Sequence, residues 1–167
     1  MPNTLVRRVR PDDVDAVVAL VHELAAYEHE PESCTLTATQ LAASLFVPDA
    51  ALFALVGEVD GEVAGTAIWF LTYSTWTGTH GIWLEDLFVS PAHRRVGLGR
   101  ELLGVLAREC TTRGYARLEW SVLDWNTPAL DFYASLHAVA MDEWTTHRVT
   151  GPALTALAAA PPPPPAR

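Results

Sequence analysis

The chain has 167 residues, of which half are hydrophobic and 19% are charged, a composition that suits one folded domain and excludes a disordered chain. Its formal net charge of −9 argues against a nucleic-acid partner, because binding phosphates requires clustered lysine and arginine, and is compatible with a cationic small substrate. No apolar run is as long as a membrane span, and the N-terminus lacks the apolar stretch of a signal peptide. We therefore expect a cytoplasmic protein with no membrane partner.

The first half of the chain predicts two helices and a strand meander. A helix follows the first strand, because its valines and leucines recur at helical spacing. The capping-box spacing of Thr37 and Gln40 predicts a second short helix through Leu45. Asp60-Gly61 predicts a two-residue hairpin turn between two strands. The predicted strands of this half are residues 5–10, 52–57 and 63–72.

The second half predicts strands alternating with helices. A loop over 74–81 contains Trp76, and His137 takes the left-handed position that glycine often fills after a helix. The predicted strands are residues 82–89, 115–123 and 138–149, and the predicted helices are 97–113, 128–136 and a turn or two within 152–160. This order predicts an α/β (α+β) fold with a mixed, largely antiparallel sheet flanked by helices. We expect one domain over 1–160 and a disordered Pro-rich tail over 161–167.

Cysteine and histidine give no sign of a metal or disulfide. Cys34 and Cys110 lie far apart and outside any C-x-x-C pair, which predicts two reduced thiols. The six histidines form no H-E-x-x-H pattern, so no metal site is predicted.

The loop Arg94-Arg95-Val96-Gly97-Leu98-Gly99 lies between a predicted strand and a predicted helix. Unpaired backbone N–H groups at a helix start bind phosphate, and glycine lets the backbone approach the ligand. A Walker A loop requires Gly-Lys-Ser/Thr, which is absent, and a dinucleotide fingerprint requires glycine where Leu102 stands. The loop by itself therefore predicts either a phosphate site of another class or a tight turn.

Arg94-x-x-Gly97-x-Gly99 resembles the acyl-CoA pyrophosphate signature of the GNAT (GCN5-related N-acetyltransferase) superfamily. The segment 125–133, from Trp125 to Tyr133, resembles the second motif of that family, and the resemblance runs from about Leu5 to Leu157. Several stretches are most similar to the spermidine/spermine (diamine) and thialysine acetyltransferase branch. They are residues 23–28, Thr72-Tyr73 with Trp76, residues 84–89, and Trp125-Asn126 with Pro128.

The resemblance implies acetyl-CoA as the cofactor. Pantetheine would pair with the backbone of Leu87, Phe88 and Val89, as an added strand pairs with a sheet edge. Asn126 would bind the pantetheine arm, with Pro128 and Ala129 beside it. The implied pyrophosphate-binding residues are Arg94, Arg95, Val96, Gly97, Leu98, Gly99 and Arg100.

The implied reaction is attack of a neutral amine on a thioester. An alkyl ammonium has a pKa of about 10.4, so only about one molecule in a thousand is neutral at pH 7 and a base is needed. The resemblance implies Glu85 as that base, acting through water, and Tyr133 as the acid for the leaving thiolate. From the residues alone, a salt-bridging strand carboxylate is the favoured interpretation of Glu85, and a core aromatic is the alternative for Tyr133. Strand alternation places Asp86 on the opposite face from Glu85.

The expected acceptor is a small cationic amine. Tyr27 and Glu28 match amine-contacting positions of the branch, although Glu28 also suits a solvated helix end. Glu119 and Ser121 lie on the polar face of a predicted strand, and Trp76 either walls the pocket or anchors its loop.

Two rival functions stay open from the sequence. One keeps the fold and changes the acceptor to an aminoglycoside or to a protein or peptide amine. The other is a non-catalytic acyl-CoA-binding regulator, against which the pair Glu85 and Tyr133 argues. The branch also implies direct transfer in a ternary complex and a homodimer.

Overall fold

A computed structural model describes residues 2–159, which contain one five-stranded sheet. The strands are β1 (Thr4–Arg8), β2 (Leu52–Val59), β3 (Glu62–Ser74), β4 (Thr79–Val89) and β5 (Leu118–Glu119). Their order in the sheet is β1-β2-β3-β4-β5, and every pair is antiparallel except β4 with β5. This confirms the predicted α/β (α+β) fold with a largely antiparallel sheet. The predicted tail over 161–167 lies outside the described residues.

Five α-helices accompany the sheet in the described part of the chain. They are α1 (Val14–Tyr27), α2 (Ala38–Leu45), α3 (Leu98–Arg113), α4 (Thr127–Ala134) and α5 (Gly151–Ala158). The chain divides into two compact units, Met1–Ser121 and Val122–Arg167. The first unit holds all five strands with α1 to α3, and the second holds α4 and α5. None of the described helices is both long enough and apolar enough to cross a membrane.

One face of the sheet packs against α1 and α2. Val14 and Val17 of α1 are buried in a cluster with Leu41 of α2 and Ile68 of β3. We call this side of the sheet the α1 face. The capping box that positions α2 is confirmed: Gln40 N–H donates to Thr37 Oγ1 at 3.3 Å, and Thr37 N–H donates to Gln40 Oε1 at 2.9 Å.

A partly buried ion network joins β1 to the start of α1. The Arg7 guanidinium donates to both carboxylate oxygens of Asp13, at 2.6 and 2.8 Å, and to Glu58 of β2 at 2.8 Å. The hydrogen bond from Arg7 holds the pKa of Asp13 below its usual value. Because the fork geometry is bidentate and largely shielded from water, this network stabilises the N-terminal corner more than an exposed ion pair would.

The second half of the chain departs from prediction at two strands. The strand predicted over 115–123 is only β5, because its backbone pairs with β4 at Ile82 and Trp83 and no further. The strand predicted over 138–149 is wrong, since that segment has no strand partner in the described structure. Alternating apolar residues cannot make a strand without a partner for its backbone. The left-handed His137 is confirmed, with φ 62°.

Candidate active site

Strand β4 carries a bulge at Glu85. Trp69 of β3 pairs with Leu84 and the next residue back, Ile68, pairs with Asp86, so Glu85 is an extra residue without a partner. A bulge bends its strand and breaks the strict alternation of side chains between the two faces.

The bulge places two carboxylates on the α1 face. Asp86 pairs with Ile68, whose side chain belongs to the α1 cluster, and directly paired side chains share a face. Trp83 pairs with Phe70, two residues from Ile68, and its indole Nε1–H donates to Glu85 Oε2 at 3.0 Å. The prediction that Asp86 lies opposite Glu85 is therefore wrong, because it assumed an unbroken strand.

A third carboxylate belongs to the same group. Glu28 follows the last residue of α1, and burial raises the pKa of its carboxyl. Burial also raises the pKa of Asp86 from 3.8 to about 6, and the negative charges of Glu85 and Glu28 add to this effect. A cation placed among these groups would relieve both the repulsion and the desolvation. We call Glu28, Glu85 and Asp86 the acidic triad.

Beyond the bulge, β4 has an edge that β5 does not pair. Ser90 N–H donates to Ala64 O of β3 at 2.9 Å, so alternation turns the backbone groups of Leu87 and Val89 away from β3. On that side β5 reaches only Ile82 and Trp83. The edge at Leu87 and Val89 therefore suits an extended ligand that pairs as a strand does. The predicted Phe88 differs, because the same alternation turns its backbone groups toward β3, and its side chain is buried on the α1 face.

The loop before α3 has the backbone shape of an anion site. Arg95 and Gly97 both have left-handed backbones, with φ 69° and 90°. The first turn of α3 has no side-chain cap, which leaves its N–H groups directed at the loop. A side chain added at Gly97 would meet nothing within 4 Å, so the approach is open. Arg95 and Arg100 are exposed beside it, and this donor set fits a pyrophosphate.

Leu98 has a different role from the one its position in the motif implies. Its side chain is 1% exposed and packs over Gly57, where an added Cβ would lie 2.7 Å from Leu98 Cδ1. Only its backbone N–H is therefore suited to a ligand. The neighbouring Val96 is exposed in the loop.

Arg94 also differs from a simple phosphate ligand. Its Nε–H donates to Val89 O at 3.0 Å, and its guanidinium lies over the rings of Tyr27 and Phe88, at 5.0 and 5.5 Å from their centroids. These contacts join the end of α1 to the end of β4.

The remaining acceptor candidates lie in less enclosed places. Trp76 is 90% exposed in the turn between β3 and β4. Glu119 of β5 forms a 2.7 Å ion pair with Arg117, which already balances its charge. Ser121 is exposed after β5. Among the predicted acceptor residues, Glu28 and Glu85 both lie close enough to Asp86 for their charges to raise its pKa, whereas Glu119 forms a local salt bridge.

The second unit holds the residues of the second motif. Asn126 caps α4, since its Oδ1 accepts a hydrogen bond from Ala129 N–H at 3.3 Å, and Pro128 lies in the first helical turn. Tyr133 is half-buried on α4, with its ring centroid 5.4 Å from that of Phe132. These contacts give Asn126 a structural role in the helix that the motif alone does not predict.

Sequence reasoning missed Trp83 and Asp86 as residues of this site. A Trp two residues before a candidate base is within reach on a regular strand face, so Trp83 had a readable signal. The bulge that moves Asp86 to the α1 face depends on pairing with β3 and has no such signal.

Comparison with known proteins identifies relatives over most of the chain. Residues 17–138 match the acetyltransferase (GNAT) family. A thialysine N-epsilon-acetyltransferase of Caenorhabditis elegans is 34% identical over 161 residues, which cover 95% of this chain and 99% of the relative. The L-ornithine N5-acetyltransferase NATA1 of Arabidopsis thaliana is 27% identical, and the match covers 91% of this chain and 86% of the relative. The structure of an integron cassette protein from Vibrio cholerae superposes with a TM-score of 0.78 at 25% identity, and the match covers 94% of this chain and 98% of that protein.

Proposed function

Because this chain belongs to the GNAT family of acetyltransferases and is an acetyl-CoA-dependent N-acetyltransferase, we propose that its acceptor is a primary amine with a second cationic group nearby. A thialysine-like amino acid, a diamine and a polyamine all have this chemistry. The acidic triad is the observation that carries the proposal. Two relatives act, by their names, on thialysine and on ornithine, whose side chains end in a primary amine.

The cofactor assignment follows the open edge and the loop. We assign pairing with pantetheine to the backbone of Leu87 and Val89, and the pyrophosphate to the N–H groups between Gly97 and Arg100. Arg95 adds positive charge there. From the second unit, we assign Asn126, Pro128 and Ala129 to the pantetheine arm, on the resemblance of their motif.

Bound acetyl-CoA supplies the acetyl group as a thioester. We assign to Glu85 the removal of a proton from the acceptor ammonium, directly or through one water. The freed amine nitrogen forms the new amide bond to the acetyl carbon as the carbon–sulfur bond breaks. This nitrogen loses its second proton to water as the amide forms. On the resemblance of its motif we assign to Tyr133 the O–H that protonates the leaving sulfur and is then restored from water, so the products are an N-acetyl amine, a thiol and the proton taken by Glu85. The Trp83 hydrogen bond engages one carboxylate oxygen of Glu85 and fixes its orientation.

We assign Asp86 and Glu28 to the second cationic group of the acceptor. Burial raises the pKa of both carboxyls, and the charges of Glu85 and Glu28 raise that of Asp86 further, so a cation bound beside them would favour their ionised forms. Glu28 also follows the C-terminal end of α1, where the helix dipole favours a cation. Tyr27, the last residue of α1, precedes Glu28, and we assign it to the acceptor together with the exposed Trp76 and Ser121 on the resemblance of their positions.

A matched pair of amines tests the acceptor. Propylamine and 1,3-diaminopropane differ by one terminal ammonium, and thiol release from acetyl-CoA reports turnover of each. We expect the diamine to have a kcat/KM about 10- to 100-fold higher, the usual value of a charge-assisted contact. Asp86→Asn should reduce this ratio, whereas Glu62→Gln, an exposed control, should keep it.

A broader panel of amine acceptors is assayed by the same release of thiol from acetyl-CoA. The panel contains thialysine, ornithine, lysine, spermidine, an aminoglycoside and a peptide. Equal kcat/KM values for the monoamine and the diamine would refute the role of the second cation. Tight acetyl-CoA binding without turnover of any amine would favour the non-catalytic alternative.

We also propose that the protein is a homodimer. Val139, Met141 and Trp144 are strongly exposed in a segment of the second unit that has no strand partner within the described chain. Exposed apolar residues at this density are typical of an interface. Light scattering should give twice the monomer mass, and a monomer at micromolar concentration would refute the proposal.

A further inference from the structure

Arg94 is the first residue of the phosphate-loop motif, yet its side chain contacts the α1 face and the end of β4. The guanidinium carbon lies 5.0 Å from the ring centroid of Tyr27 on α1 and 5.5 Å from that of Phe88 on β4. Its Nε–H donates to the carbonyl of Val89 at 3.0 Å. All four residues belong to the first compact unit.

This arrangement depends on properties that arginine has and lysine lacks. A planar guanidinium can lie over an aromatic face while its Nε–H donates a hydrogen bond within the plane of the guanidinium. An ammonium on a flexible stem cannot do both. The loop has other groups for a phosphate: the uncapped start of α3 and the exposed Arg95 and Arg100.

We propose that Arg94 is a positioning residue that fixes the acceptor-binding end of α1 against β4, and not a phosphate ligand. Tyr27 is the last residue of α1 and Glu28 follows it, so the placement of Glu28 relative to Asp86 depends on the Arg94 contact. By donating to Val89 O, Arg94 also ends the edge available for backbone pairing. The proposal rests on the proposed function where it assigns Tyr27 and Glu28 to the acceptor.

Charge and geometry are separated by Arg94→Lys. This variant keeps the positive charge and loses the planar stacking group and the Nε donor. We expect it to raise the KM for the diamine about tenfold, while the Kd for acetyl-CoA changes less than threefold. The matched variant Arg95→Ala should do the reverse, weakening acetyl-CoA binding and flattening its dependence on salt concentration.

A double-mutant cycle tests the contact with Tyr27. Tyr27→Leu and Arg94→Lys are expected to be non-additive in the KM for the diamine, because either change removes the same stacking contact. Tyr27→Phe keeps the ring and should retain the coupling to Arg94. Additive effects, or a wild-type KM in Arg94→Lys, would overturn the proposal. So would a loss of acetyl-CoA affinity in Arg94→Lys equal to that in Arg95→Ala.

The cycle is also measured without an acceptor. Urea unfolding of the full chain and its three variants reports the coupling between Tyr27 and Arg94 whether or not any amine is turned over. If Tyr27 and Arg94 are coupled in the free energy of unfolding but no amine is turned over, the proposed acceptor is refuted and the Arg94 contact is supported. If the two substitutions are additive in the free energy of unfolding and a diamine is turned over normally, only the positioning role of Arg94 is refuted.

Discussion

Replacing Asp86 with asparagine is expected to stabilise the fold while weakening the acceptor site. The pKa of Asp86 is raised to about 6 in the folded chain, against 3.8 for the free group, so the folded state holds this proton more tightly than the unfolded state. Below pH 3.8 the carboxyl is protonated in both states and leaves the free energy of unfolding unchanged. As the pH rises to about 6, its ionisation progressively lowers the free energy of unfolding, and above about 6 this loss is constant. Asparagine keeps the shape and removes the charge.

The magnitude follows from the size of the shift. A difference of about two pH units corresponds to about 3 kcal/mol at pH 8, and partial contact with water makes this an upper bound. At pH 4 the same shift amounts to less than about 1 kcal/mol. The free energy gained by Asp86→Asn should therefore be larger at pH 8 than at pH 4.

Urea unfolding of the wild type and the variant at both pH values measures this difference. Comparing the two proteins at each pH cancels the titration of groups such as Asp13, whose pKa is shifted in the opposite direction. A diamine should raise the stability of the wild type at pH 8 more than that of the variant. A gain of the same size at both pH values would refute the electrostatic argument, and a variant less stable than wild type at pH 8 would do so more directly.

Four further substitutions test other parts of the structure. Trp83→Phe removes the donor to Glu85 and should lower kcat about tenfold with little change in acetyl-CoA affinity, measured by steady-state kinetics and calorimetry; an unchanged kcat would contradict the orienting role. Gly57→Ala should destabilise the chain by about 1–3 kcal/mol through its clash with a buried leucine, whereas Gly104→Ala within α3 should stabilise it by up to about 1 kcal/mol. Asp13→Asn should lower the free energy of unfolding by about 2 kcal/mol at pH 7, and the loss should shrink as the pH falls through the lowered pKa of Asp13.

Local chemistry explains which elements the sequence predicts well. The turn at Asp60-Gly61 is confirmed, with φ 52° and 89°, because few residue pairs tolerate two left-handed positions. The capping box of α2 and the extent of α3 are confirmed for the same kind of reason, since each depends on residues within four positions of one another. Such signals are complete within a short window of sequence.

Non-local pairing explains the failures. The length of β5 depends on where β4 diverges from it, and the segment 138–149 has apolar residues without any strand to pair with in the described chain. The bulge at Glu85 depends on the register of β4 against β3. The acidic triad follows from that register, so the family motif identified Glu85 while Asp86 required the structure.

The bulge makes β4 one residue longer than the ladder it belongs to, and this has a consequence for how the site changes by mutation. In a regular strand successive side chains point to opposite faces of the sheet, whereas here two successive acidic residues lie on the α1 face. Deleting Glu85 would restore a regular ladder, in which Asp86 still pairs with Ile68 and the backbone of Leu87 still points away from β3. A single codon deletion would thus keep the strand edge that we propose for the cofactor and remove the carboxylate that we propose as the base.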